Sequence, residues 1–242
     1  MSLHSPANNP LHMTPDFLAG ISLFRGLEPG TLEELATLMT YRAFGKGMTL
    51  FHQDMPGTTL YLISDGYVRT YSIGQTGQEF TFWIYGPGEV FGELSLLDQG
   101  GYHSATCTTL TPIKTWLLSK ENLFSILRRH PPLMLRFLGL ISHRVRIATR
   151  KAEVMAFQDV QGRLAYEMLS LVERSALAAD EDIAIEVPLT QNELASMVGA
   201  TRESVNKALA LLRSQNLIKL SGANIVICDA QGLRQMIMER GR

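Results

Sequence analysis

Cysteine is scarce in this 242-residue sequence: there are two, Cys107 and Cys228, far apart and in no CxxC pattern. That scarcity argues against a disulfide framework and against a zinc or iron–sulfur site, and it suits a reducing cytosol, so a cytoplasmic protein is expected. No run approaches 18 uninterrupted apolar residues, so no transmembrane helix and no membrane partner are expected. The opening MSLHSPANNPLHMTP lacks a basic segment followed by an apolar one and does not read as a signal peptide. Excess charge is also missing. The net charge of −1 excludes a surface that is cationic throughout, but leaves room for a local basic patch that binds nucleic acid. What is present is apolar: 45% hydrophobic against 19% charged residues, enough to bury a substantial core and to exclude disorder.

The chain divides into three textures. Residues 1–15 are rich in Pro, Asn and His and read as a loose tail. PDFLAGISLFRGLEPGTLEELATLM (15–39) reads as helical, broken at Pro29-Gly30, with Thr31 to Glu34 fitting a capping box that opens a second short helix. From Tyr41 to about Leu118 come the runs TLYLIS, YVRTYSI, EFTFWIY, SATCTTL and IKTWLL. They are rich in β-branched and aromatic residues and are punctuated by turns such as Asp65-Gly66 and Gly86-Pro87-Gly88. That spacing predicts an all-β barrel or sandwich.

Ser119 opens a further helix, Pro131-Pro132 interrupts it, and a long helix is predicted from about Leu133 to Met155. Its apolar residues Met134, Leu138, Ile141, Val145, Ala148, Ala152 and Met155 are separated by steps of 4-3-4-3-4-3, the spacing of a coiled-coil seam. A helix packed only on its own domain would show a similar stripe. The small Ala148 and Ala152 allow two helices to approach closely, so a homodimer seam is the preferred reading. Arg136, His143, Arg144, Arg146, Arg150 and Lys151 fall off that stripe. Beyond Ala156–Asp159 another helix is predicted from about Val160 to Ala178, then a polar AADED break and a short strand in IAIEVP. The domain boundary falls near residue 157.

LTQNELASMVGATRESVNKALALLRSQNLIKL (189–220) is the most specific pattern in the chain. Thr190, Gln191, Asn192 and Glu193 form a capping box for a helix whose inward residues are Leu194, Ala195 and Val198. Gly199 sits where the chain must turn through a left-handed conformation, and Thr201 caps the next helix, which buries Val205, Ala208, Leu209 and Leu212. This is a helix-turn-helix. At about 100° per residue, Glu203, Lys207, Ala210 and Ser214 lie opposite the buried face, with Asn206 flanking them and Arg202 projecting from the first turn. In a major groove, Arg202 or Lys207 is suited to guanine O6/N7 and Glu203 to a cytosine amino group. An ordinary solvated face with an i,i+4 Glu203–Lys207 pair is the bland alternative. NLIKLSGANIVICD (216–229) then reads as two strands around Ser221-Gly222-Ala223-Asn224, a β-wing that brings Lys219 within reach of phosphates.

A β-barrel carrying FGELSLLDQGGYHSAT (91–106), a long central helix and a winged helix-turn-helix together resemble the CRP/FNR family of bacterial transcription regulators over about residues 16–228. The resemblance implies an α+β fold: a cyclic-nucleotide-binding-type jelly-roll barrel over 16–132, a central dimerisation helix over 133–156 and a winged helix-turn-helix over 157–242. FQDVQGRLA (157–165) is similar to the family's hinge and first DNA-binding helix. GATRESVNKALALL (199–212) is similar to its recognition helix, especially in the cyclic-AMP receptor branch, which implies operator-reading roles for Arg202, Glu203 and Lys207. Lysine at the last of these replaces the usual arginine and lacks its two-pronged fork. Oxygen-sensing members need several N-terminal cysteines, and this sequence has none there.

The barrel stretch resembles the family's phosphate-binding cassette, F-G-E-L-(S/A)-L followed by R-(S/T)-A. By position its ligand-binding roles fall on Gly92, Glu93, Leu94, His103 and Ser104. His103 stands where the family has arginine; a neutral imidazole offers one donor and no charge, which weakens phosphate binding by about 1–3 kcal/mol. The family's purine-contacting Thr-Ser pair falls on Ala148 and Thr149, of which only Thr149 keeps a hydroxyl, so the resemblance implies a ligand-binding role for Thr149 as well. A cyclic nucleotide such as cyclic AMP is therefore one effector reading; cyclic di-GMP, another small molecule or constitutive activity is the other. The resemblance further implies double-stranded DNA with a palindromic site, a homodimer, and RNA polymerase as partners. No catalytic or metal-ligating residue is assigned, since Glu93 and His103 come with no nucleophile, metal cluster or P-loop. A ligand-binding protein without DNA function is the reading from another class.

Overall fold

The computed structural model describes residues 12–174, 183–185, 187–221 and 224–240. Most of the expected N-terminal tail, the AADED break and the wing-tip residues Gly222 and Ala223 lie outside the described residues.

The chain opens with α1 (Pro15–Gly20) and α2 (Pro29–Leu38). Thr14 caps α1, accepting from the Phe17 amide. The capping box expected at Thr31 is not formed. Pro29 itself takes the first helical turn, where its fixed φ is pre-organised and its missing N–H costs nothing. Thr31 is left inside α2, buried, with its hydroxyl 3.0 Å from His130 Nδ1.

Next come β1 (Thr40–Phe44), β2 (Thr49–Phe51), β3 (Thr59–Asp65), β4 (Val68–Ile73), β5 (Glu79–Tyr85), β6 (Val90–Phe91), the short α3 (Glu93–Leu97), β7 (Thr106–Thr109) and β8 (Ile113–Ser119). They form two antiparallel four-stranded sheets, ordered β1-β8-β3-β6 and β2-β7-β4-β5. Alternation along β3 explains the layering. Ile63 joins Val68, Tyr85, Phe91 and Cys107 between the sheets, whereas Leu60 and Leu62 face α1, α2 and the helices that follow β8. The paired sheets are the expected jelly roll; β1, β2 and β6 escape the sequence reading because runs of two to five residues carry too little periodicity.

Ser119 caps α4 (Lys120–Arg129) through the Asn122 amide. The long helix, α5, runs Pro131–Phe157, starting at the two prolines rather than after them, for the same reason as α2. At 1.5 Å per residue it is about 40 Å long. α6 (Val160–Arg174) follows, then β9 (Ile183–Ala184), α7 (Gln191–Val198), α8 (Arg202–Ser214), β10 (Ile218–Ser221), β11 (Asn224–Ile227) and α9 (Ala230–Arg240). β9 extends the wing into a three-stranded sheet ordered β10-β11-β9. α9 was not foreseen; its Leu233 and Ile237 complete the core around α6.

The two halves touch. Ile84 of β5 joins the core built by α6, α7 and α8. Buried Thr81 and Ser196 hydroxyls lie 2.8 Å apart, and Lys151 of α5 pairs with Glu167 of α6 at 2.7 Å. β5 therefore carries the C-terminal half along one face and, as described next, a cavity along the other.

Candidate ligand pocket and nucleic-acid interface

At the end of β6 the chain must turn tightly into α3. Gly92 does so in the left-handed region (φ 86°), and a Cβ there would lie 2.8 Å from the Thr59 carbonyl oxygen. Glu93 thereby enters the interior at 1% exposure. Its carboxylate accepts from Arg144 of α5, whose second Nη donates to the Val90 carbonyl and whose guanidinium lies over the Tyr85 ring at 5.1 Å. Burial works against charge on Arg144, but Tyr85, Glu93 and Glu89 outweigh it and raise its pKa. Glu89 is itself fixed, accepting from the Gly86 amide at 2.8 Å. Burial, ahead of these neighbours, pushes the Tyr85 hydroxyl well above the usual phenol range.

A cavity of about 500 Å³ opens beside this pair, between β4, β5, α3 and α5. Gly92, Glu93, Leu94, His103 and Ser104 all line it. His103 does not sit in a strand hydrogen-bonded through its ring. It lies in an irregular segment held by its backbone, its amide donating to Met55 O at 2.9 Å and its carbonyl accepting from Asp54 N at 2.8 Å. The ring stacks flat on Phe51, centroids 3.6 Å apart and planes 7° apart, with 7% of the residue exposed. Burial lowers its pKa, which favours the neutral imidazole.

The far wall is a single stripe of α5: Arg144, Ile147, Ala148, Lys151, Ala152 and Met155, spaced 3-1-3-1-3. In the sequence pattern Arg144 and Lys151 simply fall off the seam. Their i,i+7 spacing with Ala148 between them was the signal that would have placed both on one face. Thr149 lies outside this wall; it is exposed and donates its hydroxyl to the Val145 carbonyl of its own helix. Of the seam residues, Met134, Leu138, Val145, Ala148 and Ala152 are exposed and Ile141 and Met155 half-buried, and the neighbouring Leu135 is 68% exposed. Ala148, Ala152 and Met155 thus belong to both the stripe and the pocket wall.

In the C-terminal half, Thr190 accepts from the Glu193 amide at 3.2 Å and the Glu193 carboxylate returns to the Thr190 amide, closing the capping box. Gly199 turns the chain at φ 60°, with the Met155 Cε only 2.9 Å from where a Cβ would be. Thr201 caps α8 through the Ser204 amide. Val205, Ala208, Leu209 and Leu212 are buried, and Arg202, Glu203, Asn206 and Lys207 are exposed. Arg202 Nε donates to Gln191 Oε1 at 2.8 Å, tying the tip of α8 to the start of α7. Glu203 and Lys207 make the i,i+4 pair at 2.9 Å. Lys219 is exposed on β10, two residues from the Ser221–Asn224 end of the β10–β11 pairing.

Among the described residues no cluster of three or more His, Cys, Asp or Glu side chains is placed to hold a metal ion, and no helix is long and apolar enough to cross a membrane. Residues 41–130 match the cyclic nucleotide-binding domain family, and residues 162–236 match the Crp-like helix-turn-helix domain family. The chain is 32% identical over 218 residues to a CRP-like cAMP-activated global transcriptional regulator of Mycobacterium tuberculosis, covering 90% of this chain and 97% of that one. Its fold is shared with the structure of FixK2 from Bradyrhizobium japonicum (TM-score 0.73, 22% identity, 81% of this chain and 96% of that one). It is shared also with the c-di-GMP responsive global regulator CLP of Xanthomonas campestris (TM-score 0.68, 23% identity, 83% and 99%).

Proposed function

The chain belongs to the CRP/FNR family of DNA-binding transcription regulators, and from that premise we propose that it acts in the cytoplasm as a homodimer on a palindromic DNA site, with a small molecule in the barrel pocket setting its affinity for that site. The observation that carries the reading is the edge of α8. Its apolar side is sealed into the core while Arg202, Glu203, Asn206 and Lys207 stand together in solvent. Two such helices, brought about 34 Å apart by a dimer, enter successive major grooves on one side of the duplex. Arg202 and Lys207 donate to guanine and Glu203 accepts from cytosine, while Thr190, Gln191, Thr201 and Lys219 contact the backbone.

The exposed stripe from Met134 to Met155 is the proposed seam between copies, since so much apolar surface on one helix is costly to leave in water. Control runs through shared parts. α5 forms both seam and pocket wall, and β5 forms both pocket wall and the seat of α7. A ligand that favours one arrangement of these contacts shifts the population toward it, with Ala156–Asp159 as the hinge. Relatives named for cyclic AMP make that nucleotide the first compound to test. RNA polymerase is the expected partner on the promoter. Glu93 is engaged by Arg144 rather than poised to move a proton, which supports binding over catalysis.

Selection from a random pool of duplexes, followed by fluorescence anisotropy, tests the proposal. The expected product is an inverted repeat with half-sites about one turn apart, bound by two chains. Enrichment of a non-repeated site, or none, overturns it.

A further inference from the structure

Building on the reading of the barrel cavity as the effector site, we infer that its ligand is an uncharged, planar aromatic molecule rather than a phosphorylated nucleotide. Among the described residues two cations, Arg144 and Lys151, reach the cavity wall, and each is already engaged. Arg144 is spent on Glu93 and the Val90 carbonyl and also faces Glu89. Lys151 is spent on Glu167 and on the Thr81 carbonyl, 3.0 Å away. The third candidate, His103, lies flat on Phe51 with its ring almost fully covered, and burial favours its neutral form. A phosphate seated at Ser104 would thus meet no unmatched positive charge among the described residues that line the cavity, where the one carboxylate, Glu93, already holds Arg144. An anion desolvated without a partner is strongly disfavoured.

The remaining wall is suited to a flat apolar guest. Phe80 and Phe82 meet edge to face at 5.4 Å, Trp83 and Tyr85 lie tilted at 5.9 Å, and all four line the cavity. Opposite them Ala148 and Ala152 leave a smooth floor with room for stacked rings. Ser104 supplies a neutral hydroxyl for orientation. A volume of about 500 Å³ admits two or three fused rings. The aromatic lining, the paired charges and the stacked imidazole all favour the same class of ligand.

Trp83 in the wall reports on occupancy; Trp116, the second tryptophan, packs on the opposite sheet among α1, α2 and α4. Full-length protein is titrated with 2-naphthol, adenosine and cyclic AMP, following Trp83 fluorescence. Saturable 2-naphthol binding at least tenfold tighter than cyclic AMP, with adenosine also ahead of cyclic AMP, is the expected result. His103→Arg, which puts a permanent charge into the wall beside Ser104, should then improve cyclic AMP binding at least tenfold. Ala148→Trp should fill the floor and abolish the 2-naphthol response, with thermal unfolding confirming that both variants fold. Tighter binding of cyclic AMP than of 2-naphthol by the natural chain, or no saturable 2-naphthol binding, overturns the inference whatever the variants do. Anisotropy on the selected DNA site keeps the two readings apart: 2-naphthol that binds without altering DNA affinity removes the effector role and leaves the ligand class standing.

Discussion

In the barrel, Glu93 is 1% exposed and meets Arg144, itself largely enclosed; on α8, Glu203 and Lys207 meet with 78% and 74% of their side chains in solvent. The pairs look alike in a contact map and differ in what they permit. A desolvated ion pair cannot release one member without stranding the other in a medium that solvates it poorly. A solvated pair parts at little cost, since water and salt already do most of what the partner does. The barrel charges are therefore committed to one another, whereas those on α8 stay in water and can part for the base-pair edges that the proposed function assigns to them. The comparison also explains how one chain with a net charge of −1 serves DNA: four exposed polar side chains on one helix edge matter more than the total.

The largest effect is expected at the shared helix. Ile141→Asp places a charge in the seam, leaves a monomer by analytical ultracentrifugation and lowers operator affinity by at least about 100-fold, because the second recognition helix no longer binds as part of the same molecule. An unchanged sedimentation profile would refute the seam. Next comes the buried pair. Glu93→Leu alone should lower the free energy of unfolding by about 3–5 kcal/mol, while Glu93→Leu with Arg144→Leu recovers most of it; both are read from urea denaturation. If the double variant is no more stable than the single, the two charges are not paired in solution. On α8, Arg202→Ala should cost about 1–3 kcal/mol of affinity and relax specificity at one base pair per half-site. Equal losses on every sequence would reduce it to a phosphate contact. Glu203→Ala, by contrast, should move folding stability by no more than about 0.5 kcal/mol, the mark of a solvated pair. The smallest effect concerns His103. Burial holds its folded-state pKa below the unfolded value of about 6.5, so the stability attached to a neutral ring is complete above that pH and is lost as pH falls through the folded-state pKa. His103→Phe should flatten this acid-side loss; an unchanged pH profile would mean the ring is not desolvated.

The helix-turn-helix was legible almost residue by residue, because each of its requirements is local: Thr190 and Glu193 cap one helix, Gly199 supplies the left-handed turn, Thr201 caps the next, and the 3.6-residue period sorts buried from exposed positions. The barrel was legible as a texture of short strands, though not strand by strand. The pocket was legible along the strand–turn segment Gly92 to Ser104 and, through the resemblance, at Ala148. Arg144 and Lys151 escaped, since the barrel groups they meet, Glu93 and Thr81, lie about 50 or more residues away in the chain. The prolines of α2 and α5 misled for a different reason: proline reads as a break, but at the first helical turn it is a start.

By itself the sequence determined the local rules: which segments coil or extend, where they cap, and which side of α8 is charged. These follow from backbone geometry and side-chain periodicity, which act over a few residues. Only the tertiary structure decided what the charges are for. Whether Glu93 faces a ligand or an arginine, and whether His103 is a cation or one ring of an aromatic stack, depends on desolvation and on partners brought in from distant strands and helices.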